Sequence, residues 1–173
     1  MDAILERLQT TVQSALQGLS PQQLAWHPPD KWCAAQILEH LFLSYTGTAK
    51  GFQKMLEAES PVFARGSFAQ RSRALFVFTF GYIPSGREAP ASTRPRGMPL
   101  ENVRNEFGEK LAAMDAVIAE AELRFGKGTR LLAHPFLGPL SGPQWRKFHL
   151  LHGSHHARQI LRLRQAMRGK YLV

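Results

Sequence analysis

Apolar side chains recur every three or four residues along four long stretches of the chain, which is the spacing of amphipathic helices. The stretches run from about residue 2 to 19, 33 to 58, 100 to 124 and 141 to 167. Asp2 and Ser141 are suited to cap the first and the last, and Gln144 completes a capping box with Ser141. Four such helices joined by short or medium links predict an all-α protein, a four-helix bundle.

The segments between these helices carry weaker patterns. Residues 20–30 are expected to be a connection, because their prolines cannot lie inside a helix. Residues 71–80 (RSRALFVFTF) fit a short buried helix or a strand, and the all-α surroundings favour the helix. Residues 83–99, rich in Pro, Gly and Ser, predict a long loop that could form a lid. A long loop and a short extra helix are therefore expected between the second and third main helices.

Length and cysteine content bound the class of protein. A chain of 173 residues with 44% hydrophobic content can bury one core, so residues 1–173 are expected to form a single domain. The lone Cys33 excludes an internal disulfide and fits a reducing compartment, with the cytoplasm as the default. No secretory leader opens the sequence and no run approaches about 18 apolar residues, so no membrane targeting or span is expected.

The chain is strongly basic, with 22 Lys and Arg against 13 Asp and Glu, a net charge of +9 and a pI near 10.3. Such a charge attracts anionic partners. The basic residues are nevertheless spread over several segments, and no nucleic-acid-binding signature accompanies them. Nucleic acid is therefore a disfavoured partner. The positive charge would attract an anionic small molecule equally well.

Histidines carry the clearest chemical signal, since four of the seven lie between residues 149 and 156. His152 and His156 are four residues apart, so they share one helix face, and that face also holds Trp145 and Leu163. His40 lies on the apolar face of the second helix. Buried imidazoles need partners, and a shared cation would satisfy several at once. Core histidines bonded to backbone or water remain the alternative.

Two glycines follow His40 on the same predicted helix, and the helix spacing places both Gly47 and Gly51 on the inward face that holds His40. Each costs about 1 kcal/mol relative to alanine inside a helix, so a reason for them is expected. Open space beside His40 would explain them, and close helix packing would explain them as well.

Three short motifs resemble those of the DinB/YfiT-like superfamily. They are residues 32–41 (WCAAQILEHL), residues 134–141 (HPFLGPLS) leading into Trp145, and residues 152–160 (HGSHHARQI). The resemblance spans most of the chain. It implies a four-helix bundle, often dimeric, in which three histidines hold a divalent metal ion. Carried onto this sequence, those ligands are His40, His152 and His156.

The chain departs from the family pattern at a few positions. Cys33 stands where relatives often have serine, and it is expected to be a poor side-chain acceptor for the helix cap. A structural role for this thiol is favoured over a nucleophilic one. His149 and His155 add nitrogens that the family site does not require. His155 is about 60° from His152 around the helix, so it is a reserve ligand or a group that supports a ligand.

Three protein ligands leave an open coordination position, which is typical of catalytic zinc rather than structural zinc. The superfamily includes metal-dependent thiol transferases that use low-molecular-weight thiols, and hydrolases. The leading hypothesis is therefore a transferase or hydrolase of small molecules, with arginines helping to hold an anionic cosubstrate such as a thiol. Zinc or nickel is preferred as the divalent ion, with iron or cobalt as alternatives. No general base is evident, because Glu39 should point about 100° away from His40.

Two hypotheses from other classes compete with an enzyme. One is a non-enzymatic, basic stress-response or nucleic-acid-binding protein that keeps a structural or vestigial metal site. The other is a helical homodimer that stores or senses metal. Binding that weakens steeply with salt and needs no metal would favour the first. A fold that melts on chelation while no reaction is found would favour the second.

Overall fold

The computed structural model describes residues 1–61, 66–81, 83 and 88–170, with side chains up to residue 167. The described chain is mostly helical, as the all-α class predicts. In chain order the elements are α1 (Ala3–Leu16), α2 (Pro21–Ala25), α3 (Ala34–Glu57), α4 (Phe68–Phe80), a 3₁₀ turn (Ala91–Thr93), α5 (Leu100–Phe125), β1 (Leu132–His134), β2 (Gly138–Leu140) and α6 (Gly142–Lys170). No helix within the described ranges is both long and apolar enough to span a bilayer.

The N-terminal region agrees with the sequence at the first cap and departs from it at two points. The Asp2 side chain accepts a hydrogen bond from the Ile4 N–H at 2.9 Å, as predicted. Helix α1 ends at Leu16, earlier than expected. The expectation that residues 20–30 contain no helix is wrong, because α2 lies there. Pro21 occupies the first helical position, where its missing N–H is no loss.

The start of α3 corrects the expectation for Cys33. Its Sγ accepts a hydrogen bond from the Gln36 N–H at 3.4 Å, and Gln36 Oε1 accepts one from the Cys33 N–H at 3.0 Å. The buried thiol therefore takes the cap position that a serine would fill. This capping role fits the structural thiol that the sequence favoured over a nucleophile.

Residues 71–80 are helical, as the sequence favoured, within α4. The expectation that this segment is buried is wrong, since Val77 is its only fully buried side chain. The β1–β2 hairpin was not predicted at all. Its strands are antiparallel with Ala133 opposite Pro139, and three residues per strand are too few for a periodicity signal. The part of residues 83–99 numbered 84–87 lies outside the described residues.

The long helices pack in pairs, α3 along α5 and α1 along α6, and both α3 and α5 also contact α6. The inward row predicted for α5 is buried at all but Val117, which is half-buried: Val103, Phe107, Leu111, Met114, Ile118 and Ala121. The core between the helices is filled mainly by leucine and aromatic side chains. Local periodicity thus located the inner face of this helix correctly.

The two glycines of α3 have different surroundings. A Cβ on Gly51 would lie 2.9 Å from Leu132 Cδ2, so this glycine lets β1 approach the helix closely. Gly47 is exposed, and a Cβ there would meet nothing within 4 Å. Close packing therefore explains Gly51, although the neighbour is a strand. The expectation that Gly47 faces the core is wrong.

A buried ionic network joins helices α1, α5 and α6. Arg146 Nε donates to Asp115 Oδ1 at 2.6 Å, and its Nη1 donates to Glu122 Oε1 at 2.7 Å. The other oxygen of Asp115 accepts from the Asp2 N–H at 2.6 Å. The beginning of α1, the C-terminal half of α5 and the second turn of α6 are therefore connected through Asp115 and Arg146.

Candidate metal centre

Three imidazoles from two helices meet in the interior, as the sequence predicts. His40 comes from α3, and His152 and His156 stand one turn apart on α6. His152 Nε2 lies 3.2 Å from His40 Nε2 and 3.1 Å from His156 Nε2. One ligand atom from each of the three lies within 4.8 Å of the others. This cluster, His40, His152 and His156, could hold a metal ion and is called the histidine cluster below.

The outer nitrogens of two of these rings determine where the protons sit. His40 Nδ1 is 2.8 Å from the carbonyl oxygen of Thr93, which only accepts, so Nδ1 carries the hydrogen. His156 Nδ1 is likewise 2.8 Å from Gln159 Oε1. The Nε2 atoms of His40 and His156 therefore present lone pairs to His152. One N–H on His152 can satisfy only one of them, whereas a cation would bind the Nε2 atoms of all three rings. The buried Nδ1 of His152 has no hydrogen-bond partner among the described residues.

Burial keeps the histidine cluster neutral. It lowers the pKa of His40, against the opposing effect of the Thr93 hydrogen bond. It also lowers the pKa of His156 to about 3, with His40 as a further cause. The pKa of His152 lies well below its ordinary value, first through burial and then through repulsion from His156 and His40. Neutral imidazole is the form that binds metal.

Aromatic side chains hold two rings of the histidine cluster from the side. The Trp32 ring lies 5.1 Å from the His40 ring, and the Phe148 ring is stacked on His152 at 5.3 Å with an angle of 12°. Side chains packed in this way have little freedom to rotate. Packing against Trp32 and Phe148 therefore preorganises the histidine cluster, as its hydrogen bonds do.

Glu39 supports His40 through the chain rather than by direct contact. Its buried carboxylate accepts hydrogen bonds from the backbone N–H groups of Arg96, at 2.6 Å, and Gly97, at 3.2 Å. These residues follow the 3₁₀ turn, whose Thr93 carbonyl accepts from His40. Glu39 points away from the cluster, as expected, and it anchors the segment that orients His40. Thr93, Arg96 and Gly97, which belong to the predicted lid, are therefore hydrogen-bonded to α3.

Glu39→Gln is expected to weaken metal binding by about 10- to 100-fold, the usual effect of losing a group that supports a ligand. The substitution keeps the side-chain volume but removes the charge and one of the two acceptor oxygens that hold the Thr93 segment. Competition with a chromophoric chelator measures the affinity, and circular dichroism checks the fold. Glu106→Gln, at a half-buried ion pair with Lys110 on α5, is the matched control. Equal affinities in both variants would contradict the role of Glu39.

The two additional histidines of α6 lie outside the histidine cluster. His149 is fully buried, with its Nε2 at 3.1 Å from Thr48 Oγ1, and its ring stacks on Trp145. His155 Nε2 lies 3.0 Å from Gln159 Nε2. The sequence left two roles open for His155, a reserve ligand or a group that supports a ligand. The structure favours the second role, because His155 contacts Gln159, which contacts His156.

His134 belongs to the hairpin. Its Nδ1 accepts the N–H groups of Phe136 and Leu137 at 3.1 and 3.2 Å. The ring thus closes the turn between β1 and β2, and it also packs against Phe148 at 4.3 Å. The second sequence motif therefore builds the hairpin beside the cluster and contributes no atom to it.

The burial of His149 makes folding less favourable in acid. Burial, helped by repulsion from His134, lowers its pKa to about 3, whereas in the unfolded chain it is about 6.5. Between these values only the unfolded chain binds the proton. The free energy of unfolding therefore falls as pH drops, by up to about 1.4 kcal/mol per pH unit from this residue.

Urea titrations with chelator present, at several values between about pH 7 and pH 4, measure this slope. His149→Gln cannot take up the proton, so its free energy of unfolding is expected to fall less steeply over the same window. Parallel curves for the two proteins would show that His149 does not cause the loss.

Sequence reasoning found the histidine cluster but missed the groups around it. Gln159 lies on the same helix face as His152, so its position was visible in the periodicity. Glu39 and the carbonyl of Thr93 gave no such signal, because their roles depend on a segment 53 residues away from His40 in the chain.

The fold and the site together define a mostly helical protein with a buried three-histidine cluster. The chain belongs to the family described as "Protein of unknown function (DUF1569)", whose family model matches residues 5–162. The matched span includes all three histidines of the cluster. No curated protein and no solved structure matches the chain.

Proposed function

We propose that this protein is a divalent-metal-dependent enzyme acting on small molecules, of the thiol-transferase or hydrolase type. His40, His152 and His156 are its metal ligands. We further propose that α1, α3, α5 and α6 form a DinB/YfiT-like four-helix bundle, a single domain over residues 1–173. The observation that carries the proposal is the meeting of three imidazole Nε2 atoms in the interior, two of which present lone pairs to the third.

Two of the three separations between the nitrogens fit a small divalent ion. Ligand nitrogens at 2.0–2.1 Å from a tetrahedral zinc ion are about 3.3 Å apart. Two of the observed separations are 3.2 and 3.1 Å. A donor set of imidazole nitrogens suits zinc or nickel, and iron or cobalt as well. Three protein ligands with a free coordination position are typical of catalytic sites.

The surroundings of the cluster favour an anionic small molecule. Among the described residues, no carboxylate contributes to the pKa shifts of the three histidines. Three neutral ligands would thus leave the charge of a divalent ion uncompensated. Arg158 and Arg162 lie close enough to His155 to lower its pKa, after burial as the main cause. A low-molecular-weight thiol with carboxylate groups would complement the positive charge of the ion and of these arginines.

A divalent ion held here would act as a Lewis acid that lowers the pKa of a bound thiol or water. The protein's own contribution is to keep the three imidazoles neutral, to orient His40 and His156 through Thr93 and Gln159, and to surround them with apolar rings. The described residues place no carboxylate or further imidazole in the cluster as a general base. A thiol that ionises at the metal would not require one.

Elemental analysis and activity of the full chain test the proposal. The protein is stripped with chelator, reloaded with zinc, nickel, iron or cobalt, and assayed for thiol transfer to an electrophile and for ester and amide hydrolysis. We expect about one ion per chain and turnover that requires it. Trace metal would remove the proposal. Stoichiometric metal without turnover, in a fold that melts on chelation, would favour storage or sensing.

The competing non-enzymatic function has a separate readout. Nucleic-acid binding that falls steeply with salt and persists after chelation would favour a basic binding protein. A homodimer, which the resemblance implies, is part of the proposal and is measured by light scattering. The proposed localisation is the cytoplasm, in keeping with the single free cysteine.

A further inference from the structure

Helix α4 exposes large apolar side chains that no described element covers. Phe68, Leu75 and Phe80 are 78%, 71% and 70% exposed. A soluble protein rarely places several such side chains together without a partner for them. This surface, defined by Phe68, Leu75 and Phe80, is called the α4 face.

The attachment of α4 determines which way the α4 face points. Val77 is buried in the core, and the Gln70 side chain donates to the Pro135 carbonyl oxygen at 3.4 Å. At the end of the helix Gly81 lies beside Leu151, whose Cδ2 would be 3.5 Å from a Cβ at position 81. At 100° per residue, Phe68, Leu75 and Phe80 span an arc of about 140° on the side away from these contacts. The face therefore looks outward from the body of the protein.

Arginines border the α4 face on both edges. On the same helical wheel Arg71 lies about 40° beyond one edge of the arc and Arg73 about 20° beyond the other. Both are exposed, and Arg73 Nη1 also donates to the Phe136 carbonyl oxygen at 3.4 Å. The long aliphatic stems of such arginines can lie along an apolar layer while their guanidinium groups reach anionic groups above it.

Charge selects the kind of partner. Residues 60–87 contain four arginines and no Asp or Glu, in a chain of net charge +9. A second copy placed symmetrically on the same face would bring arginine against arginine. An anionic layer with an apolar interior instead satisfies both the rings and the guanidinium groups, and it needs no directional contact.

We propose that the α4 face binds the surface of an anionic phospholipid bilayer. Phe68, Leu75 and Phe80 insert among the acyl chains near the headgroups, and Arg71 and Arg73 contact lipid phosphates. The proposed contact is peripheral, because it involves only side chains on the exposed face of one helix. The proposal concerns α4 alone and stands independently of the metal.

Vesicle flotation of the full chain tests this binding. We expect the protein to float with vesicles of phosphatidylcholine and phosphatidylglycerol and to stay behind with phosphatidylcholine alone. Binding should weaken at about 1 M salt, where the Debye length is about 3 Å. The double substitution Leu75→Ser and Phe80→Ser is expected to reduce vesicle binding at least about tenfold.

Leu123→Ser is the matched control, because Leu123 is 90% exposed on α5 and lies outside the α4 face. It should bind vesicles as the unsubstituted protein does. The proposal is overturned if anionic vesicles do not bind the protein, or if the double substitution and Leu123→Ser behave alike. A dimer in light scattering that Leu75→Ser dissociates would also overturn it, in favour of a second copy as the occupant.

Discussion

His156→Ala is expected to reduce bound metal from about one ion per chain to trace amounts. The substitution removes a ligand, so the loss of affinity should exceed the roughly 10- to 100-fold effect of removing a group that only supports one. The remaining nitrogens, on His40 and His152, leave the ion with two protein ligands. Elemental analysis of untagged protein, together with chelator competition, measures the change.

His155→Ala is the matched control for this experiment, since it removes the neighbouring imidazole from the same helix. His155 contacts Gln159, which in turn holds His156, so a decrease of at most about tenfold is expected. His152→Ala should behave as His156→Ala does. Stoichiometric metal in His156→Ala would show that the histidine cluster is not the binding site. Circular dichroism of each variant separates loss of metal from loss of fold.

Arg146→Ala is expected to destabilise the protein by about 3–5 kcal/mol, because it leaves buried carboxylates without their counter-charge. Asp115 and Glu122 each accept a hydrogen bond from this guanidinium and are themselves buried. A typical domain has only about 5–15 kcal/mol of folding free energy, so the loss is a large fraction of it. Urea unfolding followed by circular dichroism measures the free energy directly.

An exposed arginine on α5 provides the comparison. Arg104 lies 4.0 Å from Glu101 on α5, and both side chains are largely in solvent. Arg104→Ala should change the free energy of unfolding by no more than about 0.5 kcal/mol. Similar losses for Arg146→Ala and Arg104→Ala would mean that the buried network adds nothing beyond a surface pair.

The long helices could be located from the sequence because their signals are local. The capping residue Asp2 and the apolar row of α5 each lie within a few turns of the structure they specify. The same arithmetic, 100° per residue, placed His152 and His156 on one inward face. Local arithmetic failed at Gly47, where the inner face of α3 passes instead through Tyr45 and Thr48.

Several other features depended on contacts between distant segments. Whether α4 is buried could not be read from its apolar composition, since burial depends on what packs against it. The hairpin was missed because its two short strands stabilise each other and carry no pattern alone. Arg146 and Asp115 are 31 residues apart, and neither charge looked different in sequence from a solvated one.

The sequence by itself determined the all-α class, the approximate positions of the main helices and the candidate imidazoles, because helix periodicity and capping act over a few residues. Tertiary structure decided that His40 lies within hydrogen-bonding distance of His152, beside His156, and that the Thr93 carbonyl sets the tautomer of His40. It also decided that α4 turns three large apolar side chains outward. These features arise where separate segments pack together, and the free energy of such contacts is not encoded at any single position.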